Sequence, residues 1–469
     1  MTVQYIVSAQ ATTIALIAND VIGDRMAGPG IRYWELARVL GQHFTVKLIV
    51  PPSVPMEALP QHEAFPASIH ICHHLPQFRA VVETCDVIIT LGVILFFYPF
   101  LKELGKPLVL DMYNPFLLED LQREAGSDLL QRLISHENYL QAIRLQLQAG
   151  DFFVCAGEKQ RDYWLGMLSA MGRVNPFTYQ QDTTLRQLID IVPFGLPVNP
   201  PEHTRSVLKG VYKTIAAQDK VILWGGGIWN WFDAPTLIRA MPLILRERPE
   251  VKLFFMGINR PNKDVPKMKA VDEAISLSRQ LGLYDTSIFF NDWVPYEERQ
   301  NFLLEADLGV SLHLDHVETR FSFRTRLLDN LWAGLPVVST RGDVMGEALA
   351  AQGLAFLVEP EDVTGVARTI LDLLNRPTLR ADYAAKLEQV AADYRWDAVC
   401  RPLIRFCRAP YFSPDKAYLQ EKSASADLNR PDPSLWNKGL RALKIGGVTG
   451  LWRQIRQYIR WRVRKFQKL

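Results

Sequence analysis

Short apolar runs alternate with segments of helical periodicity along most of this chain, and the series runs twice. Alternation of this kind is the pattern of parallel strands, each followed by a helix that covers one face of the sheet. In the first half it predicts strands over 13–18, 45–50, 87–91, 107–110, 151–155 and 188–192. The series then restarts with 220–224, 251–256, 287–290, 308–312, 336–339 and 355–358. Between the two series, residues 192–201 carry four prolines, which forbid helix and favour a stiff extended connection. The fold class is therefore α/β, with two Rossmann-like domains in tandem. The predicted boundaries are a first domain over 1–195, a second over 196–407, a polar proline-punctuated linker over 408–440 and a basic tail over 441–469.

The bulk properties agree with this division. A chain of 469 residues exceeds what one hydrophobic core serves, and 48% hydrophobic with 22% charged residues is the balance of a packed globular protein. Five cysteines, odd in number and without a C-x-x-C pair, argue against a zinc site or a disulfide framework. The opening residues have no basic n-region, so no secretory leader is expected and a cytoplasmic setting is the simplest. The apolar run 87–101 is broken by Gly92 and Pro99, which suits a buried strand entering a helix better than a membrane span. Residues 441–469 carry nine Lys or Arg and no acid, so the formal net charge of +3 hides a net-acidic body. An acidic body argues against nucleic acid as the main partner. In the tail, Trp452, Ile455, Ile459, Val463 and Phe466 fall at helical spacing between arginines, which predicts an amphipathic helix suited to an anionic membrane surface.

In open α/β sheets, ligands bind beyond the carboxyl ends of the strands. Four such places hold chemistry-bearing residues. After the first strand, a long loop with Gly28 and Gly30 opens a helix whose N-terminus can hold phosphate or sugar hydroxyls, although a plain surface loop would look the same. After 220–224, Gly225, Gly226 and Gly227 permit close approach to a diphosphate, and Asp233 with Pro235 can start the following helix. The run lacks G-x-G-x-x-G spacing and a P-loop lysine, which leaves dinucleotide oxidoreductases and P-loop ATPases poorly supported. Trp229, Trp231 and Phe232 are equally explained by packing. Asp111 follows an apolar strand directly and can orient an acceptor hydroxyl or serve as a turn residue. The segment 311–338 is the richest. His313, Asp315 and His316 lack metal-motif spacing, so no metal is expected.

Here a resemblance becomes specific. Residues 327–338, Leu-Leu-Asp-Asn-Leu-Trp-Ala-Gly-Leu-Pro-Val-Val, resemble the Leu-Glu-Ala-Met-Ala-x-Gly-x-Pro-Val-Val signature of glycosyltransferase family 4. The linker resembles that family's Pro-Asn-Gly-Val-Asp hinge, and residues 255–257 with 290–294 are similar to its nucleotide-side loops. The resemblance spans roughly residues 10–405 and implies a GT-B fold, two Rossmann-like domains facing a central cleft. In that family a Glu-x7-Glu pair serves the donor. Aligned on Gly334, the ribose-binding position is Asp329, and a carboxylate can take both ribose hydroxyls. The earlier Glu is replaced by Phe321, for which Glu318 is a substitute from a longer loop. The family's Arg and Lys after the first strand of the second domain are also absent, which leaves Arg320, Arg324 and Arg326 as local cations for the diphosphate. Arg324 and Arg326, two apart, cannot share one face if both are helical.

The resemblance implies a retaining glycosyltransferase, working without a bound metal or cofactor. It would move a sugar from a UDP- or GDP-linked donor to a glycan or lipid-linked acceptor, as in cell-surface polysaccharide or glycolipid synthesis, peripherally on the inner face of the membrane. Asp111 and Glu318 would act at the reacting sugar. Gly28, Gly30, Gly225, Gly226, Gly227, Arg324, Arg326 and Asp329 would hold the donor, with Trp293 and Val294 at its base. No general base is evident, so the leaving phosphate would deprotonate the acceptor. The rivals are a sugar-nucleotide epimerase or phosphorylase on the same fold, and a catalytically silent scaffold.

Overall fold

The computed structural model of the chain describes residues 12–55, 65–91, 93–265, 267–376 and 378–427, with Thr449, Trp452, Ile455 and Arg456 of the tail. The first sheet consists of β1 (Thr13–Ile17), β2 (Thr45–Val50), β3 (Ser68–Ile71), β4 (Val87–Leu91), β5 (Leu108–Asp111), β6 (Phe152–Cys155) and β7 (Ile189–Ile191). The second holds β8 (Lys220–Trp224), β9 (Val251–Phe255), β10 (Ile288–Phe290), β11 (Leu308–Ser311), β12 (Val337–Thr340) and β13 (Phe356–Val358). The strand orders are β3-β2-β1-β4-β5-β6-β7 and β10-β9-β8-β11-β12-β13. Every pairing is parallel, with Ile14 opposite both Val46 and Val87, and Leu223 opposite both Phe254 and Gly309. Each sheet reverses its order beside its own first strand, which opens a crevice at β1/β4 in one domain and at β8/β11 in the other.

All twelve predicted strands form, each within one residue of its expected ends. The addition is β3, whose sequence Ser-Ile-His-Ile is half exposed at a sheet edge and lacks the apolar run that marks the buried strands. Local chemistry sets the helix starts as expected. Asp233 accepts a hydrogen bond from Thr236 N at 3.0 Å and Pro235 occupies the first turn of the helix Ala234–Glu247.

The domain boundaries differ from the sequence reading at the C-terminal side. Tyr394 O accepts from Leu196 N and Trp396 N donates to Leu196 O, so the linker and the returning chain pair where they cross between domains. Gly195 is needed there, because a Cβ would lie 2.8 Å from the Trp396 ring. Beyond the crossing, the helices Trp396–Val399 and Arg401–Arg408 cover the first sheet. Phe406 stacks on Phe152 at 5.0 Å, with Leu403 and Cys407 in the same core cluster. Apolar helix faces do not encode which sheet they cover, so the expected second-domain limit at 407 missed this return. The stretch expected to be a polar linker is partly built structure. Asp415 is fully buried, accepts from Arg173 Nε at 2.8 Å and from Asn175 Nδ2 at 2.9 Å, and leads into the helix Lys416–Asp427. Lys416 pairs with Asp151 at 2.7 Å. Among the described residues no helix is long and apolar enough to cross a membrane. The predicted amphipathic helix over 441–469 lies outside the described residues apart from four positions, of which Trp452 and Ile455 are exposed.

Candidate functional site

A cavity of about 490 Å³ lies between the two switch points, lined by the loops that leave β1, β5, β8, β9 and β11. The volume suits a ligand of a few hundred daltons. Contacts between the domains hold its walls together. Asp20 accepts from Arg260 and from Asn262, both at 2.7 Å, and Tyr296 Oη donates to Glu35 at 2.9 Å. Trp293 Nε1 donates to Met26 O at 3.2 Å.

The second-domain wall collects most of the expected donor residues. Gly225, Gly226 and Gly227 line the cavity where β8 ends, and Gly226 holds φ +70°, a conformation that favours glycine. Trp293 and Val294 also line it, with the Trp293 ring laid on Gly257, where a Cβ would come within 2.6 Å. Asp329 faces the cavity from the helix Arg326–Trp332 and accepts from Arg299 Nε at 3.3 Å. Burial pushes its carboxyl pKa up, against the pull of Arg299. Arg299 is an addition to the expected set. It is buried, lies 3.7 Å from the Tyr296 ring centre and 4.6 Å from that of Trp332, and no motif marked it.

Arg324 and Arg326 both line the cavity. Arg324 sits in the turn before the helix, so the rule separating helical neighbours does not apply, and both guanidinium groups lie over the Phe232 ring, at 5.0 Å and 3.8 Å. Their charges are handled differently. Arg324 forms a two-pronged pair with Glu318, at 2.7 and 3.1 Å. Arg326 donates to Gly227 O at 2.8 Å, has no ion pair among the described residues, and leaves its buried Nη1 without a hydrogen bond. Burial, with Arg324 adding repulsion, lowers its pKa to about 9. Trp231 and Phe232 serve both readings, because they are buried in the core and also line the cavity.

Three expected site residues are placed otherwise. Asp111 is fully buried beneath the cleft and does not line it. Its carboxylate accepts from Arg32 Nε at 2.7 Å and Nη2 at 3.1 Å, while Arg32 also donates to Val192 O and Pro193 O at the linker. The pairing corrects the expectation that Asp111 meets substrate, since the strand-end carboxylate is committed to a buried cation. Gly30 is packed against Val21 O, 2.2 Å from where a Cβ would be, and is not among the lining residues, whereas Gly28 is. Glu318 lines the cavity, but both its oxygens are engaged by Arg324. Phe321, at the position of the missing Glu, packs on Tyr163 at 5.1 Å between ring centres. His313 lies fully buried, 3.3 Å from Asp343, and among the described residues no group of three or more His, Cys, Asp or Glu side chains converges as a metal site would need.

The first-domain wall contributes a residue that sequence reasoning missed. Glu119, on the helix Phe116–Arg123, faces the cavity and accepts from Asn114 Nδ2 at 2.7 Å. Burial, aided by the charge of Glu318 across the cleft, pushes its pKa up to about 7. Its neighbour Tyr113 is also buried, with a hydroxyl that has no hydrogen-bond partner among the described residues.

Two parallel sheets of this order, facing each other across a cleft, make the GT-B fold, and solved glycosyltransferase structures share it. Sucrose-phosphate synthase from Thermosynechococcus elongatus superposes with a TM-score of 0.59 at 14% identity, covering 85% of this chain and 98% of that one. Anabaena HepE in complex with UDP gives 0.54 at 14% identity, over 85% and 99%. WaaG, a glycosyltransferase of lipopolysaccharide biosynthesis, gives 0.54 at 15% identity over the same shares. Within this fold, residues 219–376, in the second domain, match the family model described as Glycosyl transferases group 1. A stretch of 169 residues is 27% identical to the phosphatidyl-myo-inositol mannosyltransferase of Mycolicibacterium smegmatis. It covers 36% of this chain and 39% of that protein.

Proposed function

We propose that the protein is a glycosyltransferase that transfers a sugar from a nucleoside-diphosphate donor to an acceptor hydroxyl, with retention of configuration. One observation carries the reading: Arg326 is a buried cation with no ion pair among the described residues, only the longer-range pull of Asp329 one turn along its helix, and it faces a cavity that Arg324 also lines. A buried charge without a partner is strongly unfavourable, and an anionic ligand would supply the missing partner. The donor's diphosphate is that ligand, seated against Arg326, Arg324 and the Gly225, Gly226 and Gly227 turn. Asp329 takes the ribose, Trp293 and Val294 the base, and the Glu318–Arg324 pair borders the transferred sugar. No metal is required, since Arg326 and the backbone N–H groups neutralise the departing diphosphate.

Two likenesses support the class of ligand: the HepE structure to which this fold is similar holds UDP, and the segment matching group 1 glycosyltransferases contains Asp329, Arg324 and Arg326. The mannosyltransferase and lipopolysaccharide relatives favour a glycan or lipid-linked acceptor at a membrane. The nine cations of 441–469 would hold the enzyme at the anionic inner surface. A thermal-shift screen against UDP, GDP, ADP and their sugars tests the reading, because a ligand at 100 times its Kd stabilises by about 2.7 kcal/mol. One nucleotide series should raise the melting temperature. A flat response to all would refute the donor site.

A further inference from the structure

Arg299 is a cation that the donor site as read above leaves without a task. It lines the cavity from the start of the helix Arg299–Glu305, yet its side chain is buried. Its Nη1 donates to Tyr296 O at 2.7 Å and its Nε to Asp329 Oδ1 at 3.3 Å. Asp329 and Trp332, three apart, share one face of the helix Arg326–Trp332. The guanidinium lies against that face, 4.6 Å from the Trp332 ring centre and 3.7 Å from that of Tyr296. Both rings are themselves tied down. Trp332 Nε1 donates to Asn199 O of the linker at 2.8 Å, and Tyr296 Oη to Glu35 of the first domain at 2.9 Å. A planar cation held by two anchored rings and a carbonyl has little freedom to turn, and the carboxylate it touches inherits that order. The Asp329 side chain is 40% exposed, in the cavity it lines, and among the described residues its Oδ2 accepts no hydrogen bond.

We propose that Arg299 is the positioning residue of the ribose site, acting through Asp329 to make the cleft selective for ribonucleotides. The inference rests on the glycosyltransferase reading above. Asp329 is one methylene shorter than the Glu of the signature it resembles, so its reach to two hydroxyls depends on where the carboxylate is aimed. Two hydroxyls that both donate also need an ionised acceptor, because a protonated carboxyl would commit one oxygen as a donor. Arg299 supplies both conditions. Its charge favours the carboxylate against burial, and its bond to Oδ1 sets the direction of Oδ2. Arg326 also faces Asp329, but its hydrogen bond goes to Gly227 O, which leaves the orienting to Arg299. A sugar without those hydroxyls gains nothing from the arrangement.

Full-length protein is titrated by calorimetry with the nucleoside diphosphate selected by the thermal-shift screen, and with its 2′,3′-dideoxy form, which keeps base and phosphates. Wild type should prefer the ribonucleotide by about tenfold or more. Arg299→Met should bring that preference to within about threefold, with dideoxy affinity held within about twofold, and in an Asp329→Asn background it should cost nothing further. Arg299→Lys keeps the charge without the planar fork; it should hold part of the preference, and it decides the matter if the Met variant does not fold. An unchanged preference in either variant would make Asp329 independent of Arg299 and overturn the assignment. An equal loss of both nucleotides would overturn it too, by putting Arg299 on phosphate or in the fold alone. Equal affinity of wild type for the two nucleotides would instead refute the ribose contact of Asp329, and binding of neither would refute the donor site.

Discussion

The two walls of the cleft are built on similar sheets, yet they handle charge in opposite ways. On the second-domain wall, among the described residues, Arg326 is buried without an ion pair and Asp329 accepts only from Arg299, so both remain open to a ligand. On the first-domain wall, the strand-end acid Asp111 is neutralised by Arg32 and tied through it to Val192 and Pro193 of the linker. A carboxylate near the cleft thus stays open to a ligand in one domain and braces the domain joint in the other. Fold topology predicts where a site lies, but the partner of each charge decides what it does.

This contrast predicts different losses from similar substitutions. The largest is Asp111→Ala, which strands the Arg32 guanidinium in the core and should cost about 3–5 kcal/mol of stability in chemical denaturation. A loss under about 1 kcal/mol would show that Asp111 is not the structural half of a buried pair. Arg326→Met should act in reverse: it removes a lone buried cation, so stability holds or rises, while affinity for the nucleoside diphosphate drops by about 2–3 kcal/mol. Calorimetry reads both, and a destabilised variant with normal affinity would contradict the division between the walls. Asp329→Ala should cost less affinity, about 1.5 kcal/mol, with a nucleoside diphosphate losing more than inorganic pyrophosphate if Asp329 holds the ribose as proposed.

The smallest effect comes from Glu119 and depends on pH. Its pKa in the folded protein, about 7, lies above the ordinary 4.5. The protonated form is therefore favoured by folding: the contribution is full below pH 4.5 and is lost as pH rises through about 7. Glu119→Gln, which stays neutral, should match wild type near pH 5 and exceed it by on the order of 1 kcal/mol at pH 8 after allowance for solvent at the cleft. Equal stability at pH 8 would place Glu119 in a more watery setting than the cleft.

The second-domain wall was largely legible in the sequence, because short motifs at strand ends and one helix carry it. Asp329, Arg324, Arg326 and the glycine turn sit at spacings that a single helix and strand end dictate, and the structure brings them to one cavity. Arg299 escaped because its role depends on Trp332 and Asp329 meeting it from the helix Arg326–Trp332. Glu119 escaped because a glutamate in an amphipathic helix is ordinarily a solvated residue; burial in the cleft, helped by Glu318 approaching from the other domain, makes it unusual. Asp111 was misread for the same reason, since Arg32, 79 positions away in sequence, is what commits it. The strand pattern gave the sheets, but the return of Trp396 and Phe406 to the first domain needed packing that no local period encodes.

The central claim is that the second-domain wall binds a nucleoside diphosphate through Asp329 and Arg326. A crystal structure of the protein with the nucleoside diphosphate chosen by the thermal-shift screen tests it most directly. The account predicts ribose hydroxyls on the Asp329 carboxylate and a phosphate oxygen within hydrogen-bond distance of Arg326 Nη1. A nucleotide bound elsewhere, or one in this cleft with its phosphates turned away from Arg326, would contradict it.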